Sequence, residues 1–322
     1  MDRVKRDRLV RYGVRAGAVA ALAAVFVAAL RGVSPSGALR AFASANLPML
    51  AVLALPTLAA SFALRAVRFG VLLGSHHGSG VRFRDVLGSV LVSQAANNVL
   101  PLRAGELVRT RDFVVRGYPL AKVAAAQVTE KFVELATLLA WTAPVIGLGI
   151  FLERPVAAAS VLAALLVAIG IWGWNRIRSN HDAEAFGKRV PRGLGALAMA
   201  TFVSLVADGM EVALIYVCLR SLGIPGGLKM SLTVLAAVNL AIALPSTPGN
   251  LGALEAGAAL GLIALGVPRE PAVAFALLYR CVQWLPVTLA GAAVWWIRRP
   301  PEELRATPSS WPRSLTLGKV RW

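Results

Sequence analysis

The apolar residues of this chain arrive in blocks of about 20, each closed by polar sequence rich in arginine. Blocks of that length cross the ~30 Å hydrocarbon core of a bilayer as helices. In lipid every backbone N–H and C=O must be paired within the segment itself, so helices are the spanning elements expected here. Hydrophobic residues make up 57% of the chain and the formal net charge is +18. On a soluble chain such a charge would point to nucleic acid. Here the basic residues flank the apolar blocks, where the positive-inside rule puts them, so no nucleic-acid partner is expected.

Basic segments then set the topology. Residues 1–12 carry Arg3, Lys5, Arg6, Arg8 and Arg11 and are cytoplasmic. The block at 13–30 is a membrane helix rather than a signal peptide, since no A-x-A site closes it before Arg31. A second span covers 47–64, and Arg65, Arg68, Arg82 and Arg84 follow it in a loop read as cytoplasmic. Further spans are expected at 120–151, 156–174, 194–219 and 272–297, with a basic cytoplasmic loop at 175–192 and a basic tail at 298–322.

Two apolar stretches do not fit a full span. Residues 86–117 are interrupted by Asn97-Asn98-Val99-Leu100-Pro101-Leu102-Arg103-Ala104-Gly105-Glu106-Leu107-Val108-Arg109. Residues 228–265 are interrupted by Pro245-Ser246-Thr247-Pro248-Gly249-Asn250-Leu251-Gly252. Amides, proline, glycine and bare charge are tolerated at membrane depth only in protein or against a wet cavity. Both stretches are read as re-entrant hairpins, because only then do all strongly basic loops fall on one side. The order span, span, hairpin, span occurs twice, starting inside and then outside. Ala95-Ala96-Asn97-Asn98 is echoed by Ala236-Ala237-Val238-Asn239. Inverted repeats with interrupted segments at matching positions point to a substrate site at the midplane.

The expected fold is therefore all-α and polytopic: six full transmembrane helices plus two re-entrant helical hairpins in an inverted repeat. Its parts are the N-terminus 1–12, a first repeat 13–152 with hairpin 86–117, a second repeat 153–297 with hairpin 228–265, and the tail 298–322. The location is the plasma membrane, with both termini cytoplasmic.

Charges inside these helices are costly in lipid, about 2.5–3.5 kcal/mol each on insertion scales, so they face inward and pair. Glu130 and Glu134 share a helix face at i, i+4, and Lys131 is offset by about 100°. Arg280 is the expected partner of Glu130 or Glu134, as a structural bridge or in a substrate site. Asp208 and Glu211, at i, i+3, are candidates for proton coupling or for pairing with a buried arginine. Arg103, Arg109 and Arg111 surround the first break, where a guanidinium fork suits a phosphate or a lipid head group. Pro248, Gly249 and Asn250 open into a helix whose free N–H groups suit an anion. Cys218 and Cys281 fall in apolar spans as packing residues. His76, His77 and His181 have no ligand spacing, and no metal or cofactor is expected.

Leu100 through Arg109, then Glu130-Lys131 and Glu134, then Pro245 through Glu255 and Arg280, resemble the lysylphosphatidylglycerol synthase transmembrane family. This is a flippase-like membrane domain found alone or fused to an aminoacyl-lipid synthase. The resemblance covers roughly residues 10–300. The family more often shows Glu-Arg and then Asp where this chain has Glu130-Lys131 and Glu134, and Pro-Gly-Gly where it has Pro248-Gly249-Asn250. The resemblance implies movement of an anionic or aminoacylated lipid between leaflets, with no enzyme activity in this chain and no synthase domain. Membrane lipids are the expected substrate and a lipid-modifying enzyme the candidate partner; the oligomeric state is not legible. The alternatives are a secondary transporter of a small solute and a non-transporting scaffold. The expected substrate site comprises Arg103, Glu106, Arg109, Glu130, Lys131, Glu134, Pro248, Gly249, Asn250, Glu255 and Arg280. Arg103, Glu106, Arg109, Glu130, Glu255 and Arg280 are expected to line one polar cavity.

Overall fold

The computed structural model describes residues 34–74, 82–100, 104–142, 194–243 and 250–298. The spans expected at 13–30 and 156–174, the loop at 175–192 and the cytoplasmic tails (all but Arg298) lie outside them. Every regular element among the described residues is helical. In chain order these are α1 (Pro35–Ala43), α2 (Leu47–Leu73), α3 (Phe83–Val99), α4 (Gly105–Val115), α5 (Leu120–Thr142), α6 (Leu194–Ser221), α7 (Leu228–Ala243), α8 (Ala253–Ile263) and α9 (Arg269–Ile297).

Three of them, α2, α6 and α9, have 27 or more residues and are apolar enough to cross a bilayer. Asn46 starts α2 by accepting a hydrogen bond from the Met49 N–H at 2.9 Å. Leu50–Ala54 form a π-helical turn just before Pro56. The wider turn relieves the clash between the proline ring and the preceding carbonyl. In α9, Pro286 lies inside the helix and leaves the Val282 carbonyl without its usual donor.

One boundary differs from expectation. The second span does not end at residue 64: α2 continues to Leu73, so Arg65 and Arg68 are helical residues within the bundle and not part of a loop. The apolar run Phe69-Gly70-Val71-Leu72-Leu73 carries the helix past the arginines, and ion pairs hold their charges.

The two interrupted stretches each form two short helices. Helices α3 and α4 have 17 and 11 residues, and α7 and α8 have 16 and 11. At 1.5 Å per residue none exceeds about 26 Å. Glycine sets the close approach within each pair. A Cβ on Gly105 would strike the Ser93 carbonyl and the Asn97 amide of α3. A Cβ on Gly257 would lie 2.7 Å from the Ala237 carbonyl oxygen of α7.

Packing leaves two apolar clusters. One joins the first half of α2 to the second half of α6, α7, α8 and α9, around Leu58, Ile215, Leu262 and Phe275. The other joins the second half of α2 to α3, α4, α5 and the start of α6, around Phe69, Phe113 and Val123. Between them, midway along α6, run Ser204, Asp208 and Glu211, opposite Arg65 and Arg68 of α2. A polar layer therefore separates two dry ones.

Candidate polar site within the bundle

Helix α5 directs Glu130, Glu134, Thr137 and Trp141 along one face, at spacings of four, three and four. Each residue meets a partner on α2 or α6. The Arg68 Nη2–Glu130 Oε1 contact is 2.9 Å, and Arg68 Nη1 donates to Ser204 Oγ at 2.6 Å. Arg65 Nη1 donates to Glu134 Oε1 at 3.2 Å. Thr137 Oγ1 lies 2.6 Å from Asp208 Oδ2, and the Trp141 indole N–H donates to the Leu205 carbonyl at 3.1 Å.

The polar layer has an inner and an outer part. The inner part is Arg68, Arg109 and Glu130, with exposures of 2%, 6% and 3%. Arg109 Nη2 reaches Glu130 Oε2 at 2.8 Å, an ionic contact whose angle falls short of a hydrogen bond. Its guanidinium lies over the Phe69 ring, 4.4 Å from the centroid. This triad ties α2, α4, α5 and α6 together. The outer part is Lys131, 3.3 Å from Glu106 and 3.2 Å from Glu134, with its side chain 47% exposed.

Arg65 links the two halves of the chain. Besides Glu134 of α5 it contacts Glu211 of α6 at 3.6 Å. Glu211 also accepts the Tyr279 hydroxyl at 2.5 Å and contacts the Gln283 amide, both from α9. Next to this group opens a cavity of about 200 Å³. Its charged lining is Arg65, Glu134, Asp208, Glu211 and Arg280. Its amides include Gln94 and Asn98 of the first interrupted stretch, Asn239 and Asn250 of the second, and Gln283 of α9. Asn98 Nδ2 donates to Thr288 Oγ1 of α9 at 2.8 Å, which fixes the end of α3 at the cavity wall.

Glu130 and Arg280 are not partners. Arg280 Nε pairs with Glu255 of α8 at 3.6 Å and its guanidinium lies 5.9 Å from the Trp284 ring centroid. Glu255 also accepts the Gly252 N–H at 2.8 Å, so one carboxylate both caps α8 and holds Arg280. Glu130 is consumed by Arg68 and Arg109 instead. Of the six residues expected to line one cavity, Arg280 does; Glu106, Arg109, Glu130 and Glu255 do not, and Arg103 lies outside the described residues. Glu134, Asn250, Asp208 and Glu211 line it; Lys131 does not; Pro248 and Gly249 are outside the described residues.

Sequence reasoning missed Arg65, Arg68, Thr137 and Tyr279. The two arginines carried a signal, since apolar sequence resumes after them. The buried hydroxyls carried none.

Long apolar helices that enclose ion pairs at mid-length, away from lipid, define an integral membrane protein with a polar interior. The chain belongs to the family described as the lysylphosphatidylglycerol synthase TM region, whose model matches residues 14–291. Membership points to a membrane-lipid-related function. No curated protein matches the chain.

Proposed function

We propose that this protein is a lipid translocase that passes a polar head group between leaflets through the cavity between its halves, while the acyl chains stay in the bilayer. The observation that carries the reading is the cavity itself: both interrupted stretches contribute amides to it, and ion pairs from both halves wall it. On this reading α3–α4 and α7–α8 are re-entrant pairs of an inverted repeat, with six full spans around them. The matched lengths of the pairs and their glycine contacts at Gly105 and Gly257 support it.

The lining contains two arginines and three carboxylates. A lone anion is poorly matched to such a wall. A head group carrying an ammonium beside its phosphate is matched: the phosphate lies toward Arg280 and the ammonium toward Glu134 and Asp208. This favours an aminoacylated or zwitterionic lipid over a purely anionic one. The protein acts as a carrier and not as an enzyme.

The test is head-group translocation in reconstituted vesicles, with fluorescent phosphatidylglycerol, phosphatidylethanolamine and aminoacylated phosphatidylglycerol compared. Arg280→Ala is expected to lower the rate at least about tenfold, equivalent to ~1.4 kcal/mol, while the protein stays monodisperse. Arg280→Lys is expected to fall between, since charge survives and the fork does not. Wild-type rates in Arg280→Ala for all three lipids would sink the site.

A further inference from the structure

The polar layer holds one carboxylate more than it holds cations. Arg65, Arg68, Arg109 and Lys131 stand against Glu106, Glu130, Glu134, Glu211 and Asp208. Among the described residues each of these carboxylates except Asp208 has an arginine or lysine within ion-pair distance. Asp208 is 6% exposed and lines the cavity. It sits in the middle of α6, about 20 Å along the helix from either end. A bare carboxylate at that depth is among the costliest groups a membrane protein can hold, and such residues mark ion pathways.

Its hydrogen-bond partner among the described residues is informative. Thr137 Oγ1 lies 2.6 Å from Asp208 Oδ2, and also 3.1 Å from the Val133 carbonyl and 3.2 Å from the Glu134 carbonyl. A hydroxyl has a single proton to give. Either Thr137 donates to an ionised Asp208, or a protonated Asp208 donates to Thr137, which turns its own proton to the Val133 carbonyl. Both arrangements use the same heavy-atom positions, so a proton is gained or lost without moving a side chain. Glu211, by contrast, is already held by Arg65, Tyr279 and Gln283. The 2.6 Å separation is a hydrogen-bond distance and leaves no room for a metal cation between the two oxygens.

We propose that Asp208 and Thr137 form a proton-binding site open to the cavity, and that its occupancy is coupled to translocation. On binding, the proton forms an O–H bond on the Asp208 carboxyl, which then donates to Thr137; on release it passes to water in the cavity. The charged groups facing Asp208 are Arg65 and Arg68 of α2 and Glu134 of α5, with Glu211 on its own helix and the Tyr279 hydroxyl of α9 across the cavity. Without its proton, Asp208 competes with Glu134 and Glu211 for Arg65, the residue that ties α5 to α6. The proton thereby acts on the contact between the halves. The coupling rests on the translocase reading; the proton site does not.

The experiment has two arms on the full chain. Difference infrared spectroscopy of the detergent-purified protein is expected to show the carbonyl stretch of a protonated carboxyl group, lost in Asp208→Asn and shifted in Thr137→Val. Vesicle translocation of fluorescent phosphatidylglycerol and of its aminoacylated form is expected to respond to an imposed pH gradient and not to a sodium gradient. That response is lost in Asp208→Asn. An infrared spectrum unchanged by Asp208→Asn overturns the site. If that variant does not fold, an unshifted band in Thr137→Val does the same. Translocation indifferent to the pH gradient, or driven by sodium, overturns the coupling. A band that behaves as expected in a protein that moves neither lipid supports the site and sinks the translocase reading instead.

Discussion

Glu130→Ala is expected to fail by unfolding and not by loss of a substrate contact. Its carboxylate bridges two arginines that are almost fully buried, Arg68 at 2.9 Å and Arg109 at 2.8 Å. Removing it leaves Arg109 over the uncharged Phe69 ring, while Arg68 keeps the Ser204 hydroxyl and a longer contact to Glu134 at 3.8 Å. Breaking a buried pair typically costs about 3–5 kcal/mol, because the remaining charge is stranded. Arg109 is stranded outright and Arg68 falls back on its longer contact to Glu134, so the loss lies within that range. For a domain of this size such a loss lowers Tm on the order of 10 °C. Replacing the triad as a unit, with Arg68→Met, Arg109→Met and Glu130→Leu together, should recover most of that loss, since apolar replacements of a buried ion cluster are often neutral. The assay is thermal unfolding in detergent, followed by tryptophan fluorescence, with size-exclusion profiles as a check. Lys131→Ala is the control: a half-exposed pair is worth about 1 kcal/mol or less. A Glu130→Ala protein that melts with the wild type, or a triple variant less stable than the single one, would refute the reasoning.

Other outcomes follow from packing and topology. Gly105→Leu and Gly257→Leu each force a side chain into the backbone of the facing helix, so both should lose monodisperse expression. Cysteine introduced at Val115, at the C-terminal end of α4, should be labelled only from the cytoplasmic side in intact cells, and cysteine at Gly227, before α7, only from outside. Val115 is exposed and a side chain at Gly227 meets nothing within 4 Å, so neither change disturbs the fold. Labelling of either position from the opposite side contradicts the arrangement of six spans and two re-entrant pairs.

Much of this was legible in the chain because lipid makes its demands in one dimension. Asn97-Asn98 and Pro245 through Gly252 marked the breaks, since hydrocarbon tolerates amides and prolines only where protein or water satisfies them. The asparagine echo at Asn98 and Asn239 foreshadowed two residues on one cavity wall. What failed was rotational. Charge in a helix states that a partner exists, not which helix face turns to which neighbour, and so Arg280 was matched to Glu130 or Glu134. The structure pairs Glu130 with Arg68 and Arg109, and Arg280 with Glu255. Arg65 and Arg68 escaped for a different reason. A basic pair after an apolar block has the same appearance whether it flanks the membrane or continues the helix, and only the apolar residues Phe69–Leu73 distinguish the two. Thr137 and Tyr279 are ordinary residues whose roles depend wholly on what packs against them.

Filling the cavity is the sharpest test of passage through it. In a background with Cys218 and Cys281 replaced by serine, single cysteines at Asn98 and Asn239 place a thiol on the wall from each interrupted stretch. A bulky, reducible thiol reagent should then stop head-group translocation in vesicles from either position, and reduction should restore it. The same reagent on a cysteine at Val115, away from the cavity, should leave the rate unchanged. Fully modified protein that still translocates lipid at the unmodified rate, from both wall positions, would show that the head group travels elsewhere.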